Sequence, residues 1–116
     1  MPQNTKGCAG KRLAESAERY IRDHSENKFS LAEIAGALYV NGNYLARQFK
    51  KETGHTLLWY HNFVRCEKAK TLLAGKELTV SRVGETVGFV SSAHFSHVFS
   101  KMTGMSPSAF RESLPV

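Results

Sequence analysis

Apolar residues recur along this chain at three- and four-residue spacings and nowhere alternate in twos, which predicts helices throughout. Leu13, Ala17, Tyr20 and Ile21 make one stripe on a first helix that begins at Lys11 and runs for about 14 residues. Before it, residues 1–10 are polar and contain Gly7 and Gly10, and are read as a flexible lead-in. Ser30 followed by Glu33 is a capping-box signature that opens a second helix, with Leu31, Ile34, Ala35 and Leu38 inward. Val40-Asn41-Gly42-Asn43 is expected to be a tight turn, because Asn-Gly tolerates positive φ. A third helix carries Leu45 and Phe49 inward as far as Thr53, where Gly54 suits its C-terminal end. Thr56 opens a long fourth helix that ends at Gly75. Its apolar residues surround it more fully than one stripe would, as expected of a helix packed between two small bodies. Thr79 caps a fifth helix bearing Val80, Val83 and Val87, and Gly88 ends it. Ser91 or Ser92 starts a sixth, with Phe95, Val98, Phe99 and Met102 inward and Gly104 as its stop. Ser106-Pro107 begins a short seventh, with proline at a first-turn position that needs no N–H. The expected fold class is all-α.

The chain also matches itself. Leu31, Ile34 and Leu38 correspond to Val80, Val83 and Val87, 49 residues on. After the turn the spacing becomes 50, so that Leu45, Phe49, Lys51, Thr53 and Gly54 meet Phe95, Phe99, Lys101, Thr103 and Gly104. One residue has therefore been inserted in the second turn, where insertion is cheap. Each unit is a short helix, a turn and a longer helix, which is helix-turn-helix geometry. This divides the chain into a lead-in (1–10), a first helix-turn-helix subdomain (11–54), a linker helix (55–75) and a second subdomain (76–116).

Composition narrows what such a pair could do. With 116 residues and 41% apolar content the chain can build a core, and 16 Lys+Arg against 10 Asp+Glu give a net charge of +6. That excess favours a polyanionic partner, nucleic acid before an anionic membrane surface. No apolar run approaches the roughly 18–20 residues of a membrane span. The N-terminus lacks the apolar stretch of a secretory signal, so a cytoplasmic, nucleoid-associated location is expected. Cys8 and Cys66 are too few and too far apart for a disulfide scaffold or a zinc finger, and Cys66 reads as a small buried hydrophobe. The five histidines lack HExxH spacing, and no paired carboxylates, nucleophile elbow or phosphate loop occur. No enzyme activity, cofactor or metal is expected.

Once the core faces are fixed, the outward faces follow at 100° per residue. On the third helix the outward arc holds Asn43, Ala46, Arg47 and Lys50. Arg can bond guanine O6 and N7 together, and Asn can do the same for adenine N6 and N7. Lys50 and Lys51 suit backbone phosphate, which positions without specifying. On the sixth helix the same arc holds Ala93, Ser96, His97 and Ser100, uncharged apart from nearby Lys101. His97 stands where the first unit has Arg47, so the first unit is expected to supply most of the base reading. Ser30, Thr79, Ser91 and Ser92, at helix starts, could present hydroxyl and N–H groups to phosphate. The competing reading is a protein-interaction module whose basic face meets an acidic partner, with only nonspecific DNA affinity.

The second unit, VSRVGETVGFVSSAHFSHVFSKMTGMSPSAFR, resembles the signature region of the AraC/XylS family of bacterial transcription regulators. Gly88-Phe89, Phe95, Phe99, Gly104, Pro107 and Phe110-Arg111 carry the likeness; the first unit and the linker pattern Tyr60, Arg65, Ala69, Leu72-Leu73 fit as well. The resemblance implies seven helices, with a long linker joining two helix-turn-helix subdomains whose recognition helices enter successive major grooves. Half-sites then lie one turn, about 34–36 Å, apart. Carried over residue by residue, the base-contacting positions are Asn43, Ala46 and Arg47, and Ala93, Ser96 and His97. Double-stranded DNA and RNA polymerase are the implied partners, activation is the implied mode, and the isolated domain is expected to be monomeric. The chain leaves no room for the effector domain most members carry; it is either a stand-alone regulator or the C-terminal part of a longer one. Gly84 stands where alanine is usual. Since glycine costs a helix about 1 kcal/mol relative to alanine, the second subdomain is expected to be the less stable.

Overall fold

The helix stops and starts written in the sequence are the ones the chain uses. A computed structural model describes residues 2–115, with side chains from Ala9 onward, and contains seven helices and no strand among those residues. They are α1 (Pro2–Asp23), α2 (Leu31–Ala37), α3 (Gly42–Thr53), α4 (Leu57–Ala74), α5 (Val80–Val87), α6 (Ser92–Thr103) and α7 (Pro107–Ser113). Hydroxyl or amide side chains cap five of the starts: Ser30, Asn41, Thr79, Ser91 and Ser106 each accept from the backbone N–H three residues on. Thr56 does the same for α4, accepting from Trp59 N at 3.0 Å. Left-handed glycines close α3, α5 and α6, with φ of 82°, 109° and 87° at Gly54, Gly88 and Gly104.

The chain divides into two units, the first made of residues 1–24 and 29–61 and the second of 25–28 and 62–116. Helix α4 contributes its first residues to unit 1 and the rest to unit 2. In unit 1 the buried apolar side chains are Ala14, Ala17, Ile21, Ile34, Ala35, Leu45, Phe49 and Leu57. In unit 2 the hydrophobic core cluster is Cys66, Ala69, Leu73, Val83, Val87, Phe89, Phe95, Val98 and Phe99. Full burial of one such aliphatic or aromatic side chain stabilises by about 1.5–3 kcal/mol, so these two clusters fix the orientation of α3 and α6.

The repeat runs deeper than the pattern at 31–54 and 80–104. Phe49 meets Tyr60 edge-on at 6.0 Å, and Phe99 meets Phe110 in the same way at 5.6 Å, again 50 residues on. The hydroxyls of Thr53 and Thr103 donate to the carbonyls of Phe49 and Phe99 at 2.8 Å. Upstream, Ala14, Ala17 and Ile21 of α1 correspond to Cys66, Ala69 and Leu73 of α4 at a spacing of 52, all buried. Each unit is thus four helical segments, with α1 serving unit 1 as the body of α4 serves unit 2.

Two expectations need correction. The segment 2–10, expected to be a flexible lead-in, continues α1. Gly10 is buried, and a Cβ built on it would lie 3.0 Å from Gln48 Oε1 and 3.1 Å from Glu52 Oε2, so the helix passes close to α3. The positive φ of the first turn falls on Tyr39 (59°), and Asn41-Gly42 instead cap and begin α3. The turns superpose in hydrogen bonding: Val40 N donates to Ala35 O at 3.0 Å, and Phe89 N to Gly84 O at 2.9 Å. Tyr39 therefore occupies the left-handed place that Gly88 fills in unit 2, and Val90 is the inserted residue. Gly84 has a packing role besides its low helix propensity. A Cβ there would stand 2.6 Å from Phe95 Cδ2, so glycine is what admits the Phe95 ring.

Candidate nucleic-acid interface

Leu45 and Phe49, both 0% exposed, seat α3 on its core, and Phe95 and Phe99, also 0%, seat α6. With those rows inward, the opposite faces point to solvent. Asn43 and Arg47 are exposed and Ala46 is half-buried; Ala93 and His97 are exposed and Ser96 is half-buried. The two triads therefore carry the same burial pattern at corresponding positions. Among the described residues, neither Arg47 nor His97 has a hydrogen-bond or ion-pair partner in the protein, so both heads remain available. Lys50 and Lys51, in the last turn of α3, and Lys101, in the last turn of α6, are exposed as well. Ala46 also borders a cavity of about 200 Å³ lined with Phe29, Leu31, Thr56, Leu57 and Leu58. The helix surface there is therefore relieved rather than flat.

The hydroxyl candidates fall into two kinds. Ser30, Thr79 and Ser91 are N-caps whose oxygens accept from Glu33 N, Arg82 N and His94 N at 3.0–3.1 Å. Each hydroxyl hydrogen is then left to donate outward. Ser92 is not a cap. Its hydroxyl lies 2.6 Å from that of Ser81, joining the starts of α6 and α5. Ser81 was not read from the sequence as part of this face, since its signal is only that both starts carry serine. Tyr44, 40% exposed on α3, was missed too because tyrosine in an amphipathic helix reads as core.

The two faces differ chemically. The first offers Asn43, Arg47, Lys50 and Lys51; the second offers Ala93, Ser96, His97, Ser100 and Lys101. Glu85, at the exposed end of α5, is paired with Arg82 at 3.0 Å, which tempers the charge of unit 2. His94 turns its ring edge-on to Phe89 at 5.4 Å, so it packs rather than pairing with His97. Among the described residues no group of three His, Cys, Asp or Glu could hold a metal, and no helix is long and apolar enough to cross a membrane. Burial pushes the Cys66 thiol up to about 11, which keeps it protonated and unreactive.

Comparison with known proteins agrees with this architecture. Residues 34–113 match the model of a helix-turn-helix domain. The arabinose operon regulatory protein of Escherichia coli is 35% identical over 101 residues, covering 86% of this chain and 34% of that protein. The chain spans about a third of the length of the curated relatives it matches. Among solved structures, the C-terminal domain of AraT, a response regulator from Geobacillus stearothermophilus, is 32% identical. It covers 90% of this chain and 87% of that one, with a TM-score of 0.84. The DNA-binding domain of AdpA, a global transcriptional factor solved with a target DNA, is 27% identical with a TM-score of 0.79. That match covers 87% of this chain and 90% of that one. With the doubled helix-turn-helix unit, its glycine stops and these relatives in agreement, the chain belongs to the AraC/XylS family of helix-turn-helix domains.

Proposed function

We propose that this chain is the sequence-specific, double-stranded-DNA-binding module of a bacterial transcription regulator, with α3 and α6 as its two major-groove readers. The observation that carries the reading is the pair of equivalent, solvent-facing triads, Asn43/Ala46/Arg47 and Ala93/Ser96/His97, each held outward by fully buried aromatic or aliphatic residues. A net charge of +6 supplies the attraction to phosphate. The likeness to AdpA's domain, solved with a target DNA, supports the partner. Arg47 bonds guanine O6 and N7, Asn43 addresses an adenine edge, and Ala46 gives apolar contact to a thymine methyl. Ser96 and His97 make the weaker contacts of the second half, and Ala93 only an apolar one. Lys50, Lys51 and Lys101 neutralise phosphates, and Ser30, Thr79, Ser91 and Ser92 donate to them from the helix starts. In this reading the module is monomeric, works in the cytoplasm on the nucleoid, catalyses no reaction, and activates by contact with RNA polymerase.

The test separates reading from positioning. Arg47→Ala should cost about 1–3 kcal/mol on the preferred duplex and relax preference at one base pair. Lys50→Ala should weaken all sequences alike and lower the slope of log affinity against log salt by about 1. His97→Ala should cost less specificity than Arg47→Ala. Equal losses on preferred and random DNA for both Arg47→Ala and Lys50→Ala would reject base reading and leave a nonspecific basic surface.

A further inference from the structure

Arg65 is the one arginine in the core of unit 2, 6% exposed on α4, and no carboxylate accompanies it among the hydrogen bonds and ion pairs it makes. Its Nη1 donates to Gly88 O at 2.9 Å and its Nη2 to Asn62 Oδ1 at 2.7 Å, while Nε is buried without a partner. The guanidinium lies over the Phe89 ring, 4.1 Å from its centre. Stability alone does not account for this choice. A buried cation without a counter-ion carries a desolvation cost that an apolar side chain of similar volume avoids. Unit 1 makes that apolar choice: at the spacing of 52 that relates α1 to α4, the corresponding residue is Leu13.

What arginine adds is direction. Gly88 and Phe89 are the turn between α5 and α6. Gly88 is left-handed, and any Cβ on it would strike the Glu26 backbone at 2.6 Å, so this backbone has little freedom to move. Phe89 packs on Phe95 at 5.2 Å and meets His94 at 5.4 Å, both in α6. Arg65 thus grips the carbonyl of one turn residue and the ring of the next, and that ring rests on the first turns of α6. The second turn is also the longer one, with Val90 inserted and 91% exposed.

We propose that Arg65 is a positioning residue for the second reading helix: it fixes the α5–α6 turn so that Ser96 and His97 meet the groove in register. The inference rests on the DNA reading above. It requires that an uncharged residue of similar length at position 65 preserve the fold yet lose recognition by α6 alone.

The experiment uses the full chain and three variants. Arg65→Met removes the directed bonds, Arg65→Lys keeps one charged donor, and Phe110→Leu trims the same core from α7 without touching the turn. Thermal unfolding of each variant checks that it is folded at the temperature of selection, with Phe110→Leu as the control for a general loss of core packing. Each protein then selects duplexes from a randomised pool. The expected result is that Arg65→Met retains the first half-site and loses preference in the second. Affinity for the wild-type site should fall on the order of ten-fold, the loss of one base contact. Phe110→Leu should keep both half-sites, and Arg65→Lys should recover part of the second. A bipartite wild-type motif that Arg65→Met reproduces, or that Phe110→Leu degrades equally, overturns this proposal alone. A wild-type chain that enriches no motif overturns the DNA reading and this proposal with it.

Discussion

Substituting alanine for Gly84 raises helix propensity by about 1 kcal/mol, and on that ground alone should stabilise unit 2. The structure predicts the opposite. The added Cβ would lie 2.6 Å from Phe95 Cδ2, 2.8 Å from its Cγ and 3.0 Å from its Cβ, where carbon atoms normally stop at about 3.5 Å. Turning the Phe95 ring cannot relieve this, because its own Cβ is part of the clash, and the ring is 0% exposed and packed against Phe89 and Phe99. Overpacking of this kind costs about 1–3 kcal/mol, and the geometry puts it at the top of that range. The net expectation is a loss of about 2 kcal/mol, on the order of 8 °C in Tm for a chain of this size. Two companions sharpen the test. Gly36, exposed in α2 with nothing within 4 Å of its would-be Cβ, should gain about 0.5–1 kcal/mol as Gly36→Ala. Unit 1 already carries Ala35 and Leu45 at the two positions, so Phe95→Leu should rescue Gly84→Ala, with a favourable coupling of about 1–2 kcal/mol. Thermal and urea unfolding of the four proteins settles it. Gly84→Ala as stabilising as Gly36→Ala, or additivity with Phe95→Leu, would refute the close approach.

Other expectations follow from the same geometry. Tyr39 holds φ 59° while 93% exposed, so Tyr39→Gly should stabilise by about 1 kcal/mol; a loss in thermal unfolding would mean the ring packs after all. Thr79→Ala removes the acceptor for Arg82 N and should cost about 1 kcal/mol, whereas an unchanged Tm would show the cap idle. Cys66 titrates near 11 in the folded chain against an ordinary 9.0, so between those values only the unfolded chain releases the proton. Stability relative to Cys66→Ala should therefore fall as pH rises from 9.0 to about 11, and parallel pH profiles would contradict the buried thiol.

Much of this was legible because the punctuation is local. Ser30, Thr79, Ser106 and Gly54, Gly88 and Gly104 each act on the nearest few peptide groups, and the pattern places those boundaries. The self-match located the repeat and the turn that holds the insertion because burial imposes the same spacing on both units. What escaped was non-local. Gly84 looks like a weak helix residue until the Phe95 ring is set against it, and Arg65 stands in the linker pattern with no sign of its partners until its guanidinium is found over Phe89. Asn-Gly was credited with the positive φ on propensity, yet Asn41 is the better cap and the strain moved to Tyr39. The Ser81–Ser92 bond joins two helix starts 11 residues apart, which no single-helix periodicity can express.

The most direct test of the account is selection of duplexes by the wild-type chain from a randomised pool at near-physiological salt, followed by sequencing. A bipartite motif is predicted, with one half-site for each reading helix and the sharper base preference in the half read by Asn43, Ala46 and Arg47. Enrichment no better than the salt-sensitive background of nonspecific binding would contradict it.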